Sequence, residues 1–216
     1  MSRIPVVLVA ALALALAAPA ASGAAVPKAG TCWPSGTRTV DAGIGGRIFY
    51  RPTSDADRVY LCSYRSGRRT QIGWDVLFDA EEVELTRFAR RFVAIATVNS
   101  NPGGSFSSIF IRRVRDGRRL ARLAAAPDAP PVGAGGAPIR TGVRDLVIRG
   151  DGRVAWIVEV RDEGTGASVY ELRTAAPGAG SSLLAAGADI APGSLALAGS
   201  TLYWSQAGLP RSAPLP

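Results

Sequence analysis

The sequence has no histidine and almost no lysine: of its 25 basic residues, Lys28 is the one lysine and the others are arginine. Without imidazole there is no Ser-His-Asp triad, no Cys-His pair and no histidine ligand for a metal ion. No P-loop lysine is present, because Lys28 stands alone near the predicted mature N-terminus. These absences exclude several large classes of enzyme, and we predict no catalytic residue, no cofactor and no metal site.

Carboxylates are the acid–base groups that the composition leaves. Asp55 with Asp57, and Asp162 with Glu163, are close pairs on predicted loops. Two carboxylates converging in a pocket would serve glycoside hydrolysis, which gives an alternative function as a hydrolase of extracellular glycans. The ordinary interpretation is that such loop acids are solvated. An exposed face is likewise expected for Asp79, Glu81, Glu82 and Glu84.

The first 25 residues have the pattern of a secretory signal peptide. Arg3 supplies a positive charge, residues 6–18 are apolar throughout, and small residues follow over 19–25. Cleavage is expected within about 20–26. The apolar run is shorter than the ~20 residues that cross a bilayer, so we expect a secreted or extracytoplasmic chain without a membrane span. An uncleaved anchor is the alternative.

Cys32 and Cys62, the two cysteines of the chain, are predicted to form a disulfide. Export favours oxidised cysteine pairs. A redox or metal role is disfavoured, because the sequence has no C-x-x-C pair and no histidine to complete a site.

Short β-rich runs alternate with glycine-containing turns along the rest of the chain. Residues 92–98 are apolar almost throughout, as in a strand buried on both faces. Turns such as Ser66-Gly67 and Asp116-Gly117 are typical of antiparallel hairpins. Residues 79–91 have features of a helix start, but the spacing of the runs predicts a strand. Further strands are predicted at 47–50, 59–62, 109–111, 145–148, 154–158, 168–172, 194–197 and 202–204.

Some segments recur along the chain. RSGRR at 65–69 returns 50 positions later as RDGRR at 115–119, and RFVAI at 91–95 resembles RVAWI at 153–157. Four antiparallel strands in roughly 50 residues are typical of one propeller blade. The chain resembles the TolB-type and WD40-like β-propeller repeats of secreted bacterial proteins over most of 45–215, most clearly in VRDLVIRGDGRVAWIVEVRDEGTGASVYELR at 143–173. It lacks the Trp-Asp and Gly-His signatures.

These patterns predict an all-β fold. We expect a small or incomplete β-propeller of about 3–4 four-stranded antiparallel blades, with a β-sandwich as the alternative. Residues 26–216 are predicted to form a single propeller-like β domain. Residues 124–138, AAAPDAPPVGAGGAP, predict an extended, mobile loop rather than a domain boundary. Core positions are expected for the rings of Trp156, Tyr170, Tyr203 and Trp204.

The positive charge is concentrated in one stretch of the chain. The formal net charge is +8, and residues 87–122 contain nine arginines against Asp116 alone, whereas the segments on either side are close to neutral. Clustered guanidinium groups bind phosphate and carboxylate in a bidentate way. An anion-binding face is therefore predicted, with Arg112, Arg113, Arg115, Arg118 and Arg119 as candidate residues. Charge at strand edges that discourages edge-to-edge pairing is the alternative.

The absences and the charge favour a non-enzymatic binding or scaffolding protein of the cell envelope or exterior. Its expected partner is an anionic envelope polymer or a protein. Export and the lack of exposed aromatic residues among the arginines disfavour nucleic acid. Besides the hydrolase, a sensor or partner-completed interaction module is an alternative, and the oligomeric state is left open.

Overall fold

The computed structural model describes residues 29–54, 57–75, 81–101, 103–130 and 132–216. The predicted signal peptide at 1–25 and Asp55 lie outside these residues. The described part of the chain forms a short helix, a 3-10 turn (Ala134–Gly136) and fifteen strands. The helix is α1 (Ala29–Cys32), and the strands are β1 (Arg38–Gly43), β2 (Gly46–Pro52), β3 (Asp57–Ser63), β4 (Arg69–Asp75), β5 (Glu81–Ala89), β6 (Phe92–Asn101), β7 (Gly104–Arg113), β8 (Arg119–Ala124), β9 (Ile139–Ile148), β10 (Val154–Asp162), β11 (Ser168–Ala175), β12 (Ser181–Gly187), β13 (Ala196–Ala198), β14 (Thr201–Gln206) and β15 (Leu209–Pro214).

The strands form four antiparallel meanders, which confirms the predicted all-β class. Meander 1 is β1–β4, meander 2 is β5–β8, meander 3 is β9–β12 and meander 4 is β13–β15. A single bridge, Trp74–Glu81, joins meanders 1 and 2. A single parallel bridge, Ser105–Arg140, joins meanders 2 and 3. Among the described strands the sheets stay open, because the pairing order begins at β1 and does not return to it.

The second strand of a meander lies between two neighbouring sheets. In β6, Val93 and Ile95 pack against meander 1, whereas Ala94 and Ala96 pack against meander 3. Successive side chains of a strand point to opposite faces. An apolar residue at every position is therefore what a strand between two sheets requires, and the prediction for residues 92–98 is confirmed.

Strand β10 repeats this arrangement one meander further along. Trp156 and Val158 pack against meander 2, and Ala155 and Ile157 pack against meander 4. All four side chains are fully buried, and the indole N–H of Trp156 donates to the carbonyl of Ala125 at 2.8 Å. The four meanders therefore stack face to face in chain order.

One carboxylate on the first strand of a meander binds the meander that follows. Thr86 Oγ1 donates to Asp41 of β1 at 2.7 Å, across the junction of meanders 1 and 2. The backbone N–H of Val143 donates to Glu84 of β5 at 3.2 Å. The N–H of Leu195 donates to Asp145 of β9 at 2.9 Å, across the last junction. We call Asp41, Glu84 and Asp145 the junction carboxylates.

A β-bulge lies at or directly beside each junction carboxylate. The register of the first strand shifts between Thr39 and Asp41, between Val83 and Leu85, and at the pairing of β9 with Ile157 and Val158 of β10. A bulge re-aims a side chain out of the regular alternation. It therefore turns a carboxylate of the first strand towards the neighbouring sheet.

The N-terminal segment covers the outer face of meander 1. Cys32 and Cys62 form the predicted disulfide, with their Cα atoms 5.5 Å apart. Arg47 is 2% exposed, donates to the carbonyl of Cys32 at 2.8 Å, and stacks its guanidinium 3.9 Å from the centre of the Trp33 ring. A buried arginine and the disulfide together hold this segment on the sheet.

The outer face of meander 4 is exposed. Leu202 and Trp204 point into the core, and Tyr203 between them is 46% exposed. Its cross-strand neighbours Ala196 and Ser212 are exposed as well. The core position predicted for Tyr203 is therefore wrong, because the described chain provides no sheet beyond meander 4.

The segment 124–138 connects meanders 2 and 3, and its first residues are held in place. Ala125 is fully buried, and Asp128 pairs at 2.5 Å with Arg173, whose side chain is 2% exposed. The strand predicted within 79–91 is confirmed as β5. Within the residues that the structure describes, no helix has both the length and the apolar character needed to cross a membrane.

The junction carboxylates predict a large loss of stability on substitution of Asp145. Asp145→Ala removes the acceptor of the Leu146 N–H at 2.9 Å and of the Leu195 N–H. Each buried donor left without an acceptor costs ~1–3 kcal/mol, so urea unfolding should show a loss of about 2–6 kcal/mol for the two donors. Glu82, which is exposed on β5, provides the control: Glu82→Ala should change stability by less than about 0.5 kcal/mol. Equal stabilities of the two variants would contradict the junction role.

Candidate functional site

A cavity of about 300 Å³ opens at one end of the stack, between meanders 1 and 2. Antiparallel pairing brings the turns β1–β2, β3–β4, β5–β6 and β7–β8 to this end, which we call the turn end. We call the cavity the arginine cleft. It is lined by Gly45, Ser63, Arg65, Arg90, Arg91, Arg113, Val114 and Arg115.

Two turns of the same shape place Arg65 and Arg115 beside each other. Gly67 and Gly117 have φ of 65° and 71°, a conformation that glycine adopts readily. Each donates its N–H to the residue four positions earlier, Ser63 or Arg113, at 2.8 and 2.9 Å. The similar segments at 65–69 and 115–119 thus form equivalent turns in meanders 1 and 2.

Arg113 is the one arginine of the cleft that is paired with a carboxylate of the described residues. It binds Asp116 in a bidentate way, and this bond lowers the pKa of Asp116 to about 2. The nearby Asp151 is shared by Arg149 and Arg153, at 2.6 and 2.5 Å. The carboxylates seen at this end are therefore already neutralised by neighbouring arginines.

The other four arginines of the cleft have no carboxylate within 4.0 Å among the described residues. They are Arg65, Arg90, Arg91 and Arg115. All four are exposed. Uncompensated guanidinium groups around one concavity focus a positive potential there. The cleft is therefore suited to an anion that binds from solvent.

Ser63 lies buried in the cleft and is 2% exposed. Its hydroxyl has no hydrogen-bond partner among the described residues. Buried polar groups are rarely left unpaired. The Oγ atom is almost inaccessible to solvent, and Ser63 lines the cavity, so a group that reaches the base of the cleft would meet an unpaired hydroxyl there.

Of the five arginines predicted from the sequence to bind anions, two line the cleft and three lie outside it. Arg113 and Arg115 line the cleft. Arg112 and Arg119 instead lie 5.9 and 6.0 Å from the centre of the Phe110 ring, and Arg118 is exposed on the turn. The prediction did not include three residues that complete the cleft, namely Arg65, Arg90 and Arg91. The similarity of 65–69 to 115–119 is the signal that points to Arg65.

A second cavity, of about 240 Å³, lies at the opposite end of the stack, between meanders 2 and 3. It contains equal numbers of acidic and basic residues, in contrast to the arginine cleft. Glu159 is held by Arg144 and by the hydroxyl of Ser168 at 2.6 Å. Its charged lining residues are Glu84, Glu159, Glu163, Arg140, Arg144 and Arg161.

Glu84 uses one carboxylate oxygen for both of its hydrogen bonds. Oε2 accepts from Ser107 Oγ at 2.9 Å and from the Val143 N–H. Burial raises the pKa of Glu84, against the opposing effect of these two bonds and of Arg144. The exposed position expected for Glu84 from the sequence is therefore wrong, because the bulge in β5 turns it into the junction.

Among the described acids of the hydrolase hypothesis, Asp57 lies apart from Asp162 and Glu163. Asp57 lies in meander 1, Asp162 and Glu163 lie at the β10–β11 turn of meander 3, and Asp55 is outside the described residues. Only Glu163 among them lines either cavity described above, where Arg140 and Arg161 bind it at 3.3 and 3.5 Å. Across the described ranges, no three acidic or cysteine side chains are grouped in a way that would hold a metal ion.

No family model, no curated protein and no solved structure matches the chain.

The raised pKa of Glu84 predicts that Glu84→Gln stabilises the protein at neutral pH. The folded state holds the proton more tightly than the unfolded state, so ionisation above the ordinary carboxyl pKa costs stability. Glutamine keeps an acceptor oxygen and carries no charge. The melting temperature should exceed that of the wild type at pH 7, and the difference should vanish at a pH below about 4. The exposed Asp189 provides the control, and Asp189→Asn should show no such pH-dependent gain. A Glu84→Gln variant less stable than the wild type at pH 7 would contradict the account.

Proposed function

We propose that the protein is an extracytoplasmic, non-enzymatic binding protein that holds an anionic polymer at the turn end. The observation that carries this proposal is the arginine cleft, in which Arg65, Arg90, Arg91 and Arg115 surround one cavity without a carboxylate partner among the described residues. A polymer with a charge on each repeat would contact several of these groups at once. Wall phosphopolymers and acidic glycans have this character.

The choice of arginine supports an oxyanion ligand. A guanidinium group presents its N–H donors in a planar fork that matches phosphate and carboxylate. It is also more weakly hydrated than an ammonium group, so less solvation is lost on contact. Binding of this kind releases counterions and weakens as salt is added.

The extracytoplasmic location is supported by two features. The apolar run at 6–18 follows a positive residue and precedes small residues, as in secretory signals. The disulfide between Cys32 and Cys62 is of a kind that persists in oxidising compartments.

The architecture that we propose is an open, propeller-like array of blades, with a β-sandwich as the alternative. Two features support the propeller: the four-stranded meanders follow one another in chain order, and the first strands β1, β5, β9 and β13 lie against one another in sequence. In such an array the first strands are the innermost, and the turn end is one face of the array.

Substitution of the four unpaired arginines tests the proposal. The quadruple variant carries Arg65→Ser, Arg90→Ser, Arg91→Ser and Arg115→Ser. At low salt it should bind a poly(glycerol phosphate) chain at least about 30-fold more weakly, because each exposed ionic contact that is lost contributes ~0.5–1 kcal/mol to the binding free energy. Isothermal titration calorimetry over a salt series measures both the affinity and the salt slope, and the slope should fall as phosphate contacts are lost.

A matched control removes the same charge away from the cleft. Arg51, Arg58, Arg122 and Arg211 are exposed, do not line the cleft and lie outside the turns of the turn end, so their replacement by serine should weaken binding by less than about threefold. Equal losses in the two quadruple variants would show that charge alone, and not the cleft, binds the polymer. No binding of the wild type at low salt would overturn the proposed function.

A further inference from the structure

The buried hydroxyl of Ser63 gives the arginine cleft a feature that electrostatic attraction to a polymer does not require. Ser63 ends β3 and precedes the turn that carries Arg65. Its backbone is fully used: its N–H donates to the carbonyl of Arg68 at 3.0 Å, and its carbonyl accepts from the Gly67 N–H at 2.8 Å. These bonds hold the backbone of Ser63 beside the cavity, and its Oγ has no partner among the described residues.

A buried hydroxyl without a hydrogen bond makes folding less favourable, so folding stability does not explain why serine is present at this position. Leaving such a group without a hydrogen bond costs ~1–3 kcal/mol, and alanine would fill the position at no such cost. Close packing also restricts the neighbouring position 46 to glycine. A Cβ atom at Gly46, the partner of Ser63 in β2, would lie 2.6 Å from the carbonyl oxygen of Cys62 and 2.7 Å from Val114 Cγ1. The backbone of Gly46 beside Ser63 is therefore closely packed against Cys62 and Val114.

The number of donors around the cavity exceeds what one carboxylate accepts. Four guanidinium groups without a carboxylate partner and one hydroxyl surround a space of about 300 Å³. A carboxylate offers two oxygens and one negative charge. A phosphomonoester offers three terminal oxygens and close to two charges at neutral pH, so it satisfies more donors and compensates more of the positive charge.

We propose that the arginine cleft is a binding site for a phosphomonoester dianion, with Ser63 Oγ donating a hydrogen bond to one phosphate oxygen. Arg65, Arg90, Arg91 and Arg115 supply the charge-assisted bonds. The inference rests on the proposed anion binding at the turn end and deepens it, since it names the group that enters the cavity. Such a group is present at the end of a phosphate polymer and on a small phosphorylated molecule.

Titrations with small anions test the site directly. Inorganic phosphate and sulfate, both tetrahedral, should bind the wild type more tightly than acetate at the same ionic strength. Glycerol 1-phosphate, a monoester, should bind at least about tenfold more tightly than bis(glycerol) phosphate, a diester with one charge. A preference for the monoester indicates a chain end or a small molecule as the source, and equal binding of the two esters would overturn the choice of a dianion.

Ser63→Ala separates a ligand contact from a structural role. The variant should bind inorganic phosphate about tenfold to hundredfold more weakly, as expected for the loss of a hydrogen bond to a charged group, while the melting temperature without ligand is unchanged or higher. Ser107 provides a matched control, because its hydroxyl is bound by Glu84 and by the carbonyl of Thr141 at 2.9 Å. Ser107→Ala should lower the melting temperature and leave phosphate affinity unchanged.

The outcomes separate this inference from the proposed function. If poly(glycerol phosphate) binds through the four arginines but Ser63→Ala leaves phosphate affinity unchanged, the phosphomonoester site is wrong and the polymer-binding face stands. If inorganic phosphate binds in a Ser63-dependent way but the polymer does not bind, the site stands and the proposed function is wrong. A fall in the melting temperature of Ser63→Ala without ligand would assign the hydroxyl a structural role and overturn the inference.

Discussion

The stack of meanders depends on the burial of both faces of the second strands, β6 and β10. The junction carboxylates fix the position of each meander relative to the next. Apolar contacts between sheets have little directional preference, so they bring β6 and β10 between their neighbours without fixing the register across a junction. A hydrogen bond from the next meander to Asp41, Glu84 or Asp145 does fix it. The cost of leaving such a buried donor unpaired penalises any slipped arrangement.

This constraint determines what lies at the turn end. With the meanders in register, the similar turns at 65–69 and 115–119 come side by side, and the β5–β6 turn at Arg90 and Arg91 comes against them. Residues that are far apart in the chain then share one cavity. Asp116 and Asp151 are bound by arginines close to them in the chain. The positive charge of the four other arginines of the cleft is therefore not compensated by these carboxylates. In the proposed function the stack holds these arginines around one cavity before a ligand arrives, and the loss of solvation on binding falls on weakly hydrated guanidinium groups.

The elements of the fold were more accessible from the sequence than the site. The strand at 92–98 was predictable because its apolar run reflects burial on both faces, and the disulfide because the chain has two cysteines and an export pattern. The pairing of meanders was not predictable, since a bulge at Glu84 or Arg144 leaves no composition signal. For the same reason the sequence predicts an exposed face for Glu84. It predicts a core position for Tyr203 because the position in the strand does not reveal whether a further sheet covers it. Arg90 was not linked to Arg65 because only the stacking of two meanders brings them together.

Hydrogen–deuterium exchange with and without poly(glycerol phosphate) tests the central claim most directly, because it locates the binding surface on the intact protein. The account predicts slower exchange of backbone amides at the turns 44–45, 64–68, 90–91 and 114–118, with no change at 140–144 and 159–163 at the opposite end. Protection confined to the opposite end, or to the exposed face of meander 4, would contradict the assignment of binding to the arginine cleft.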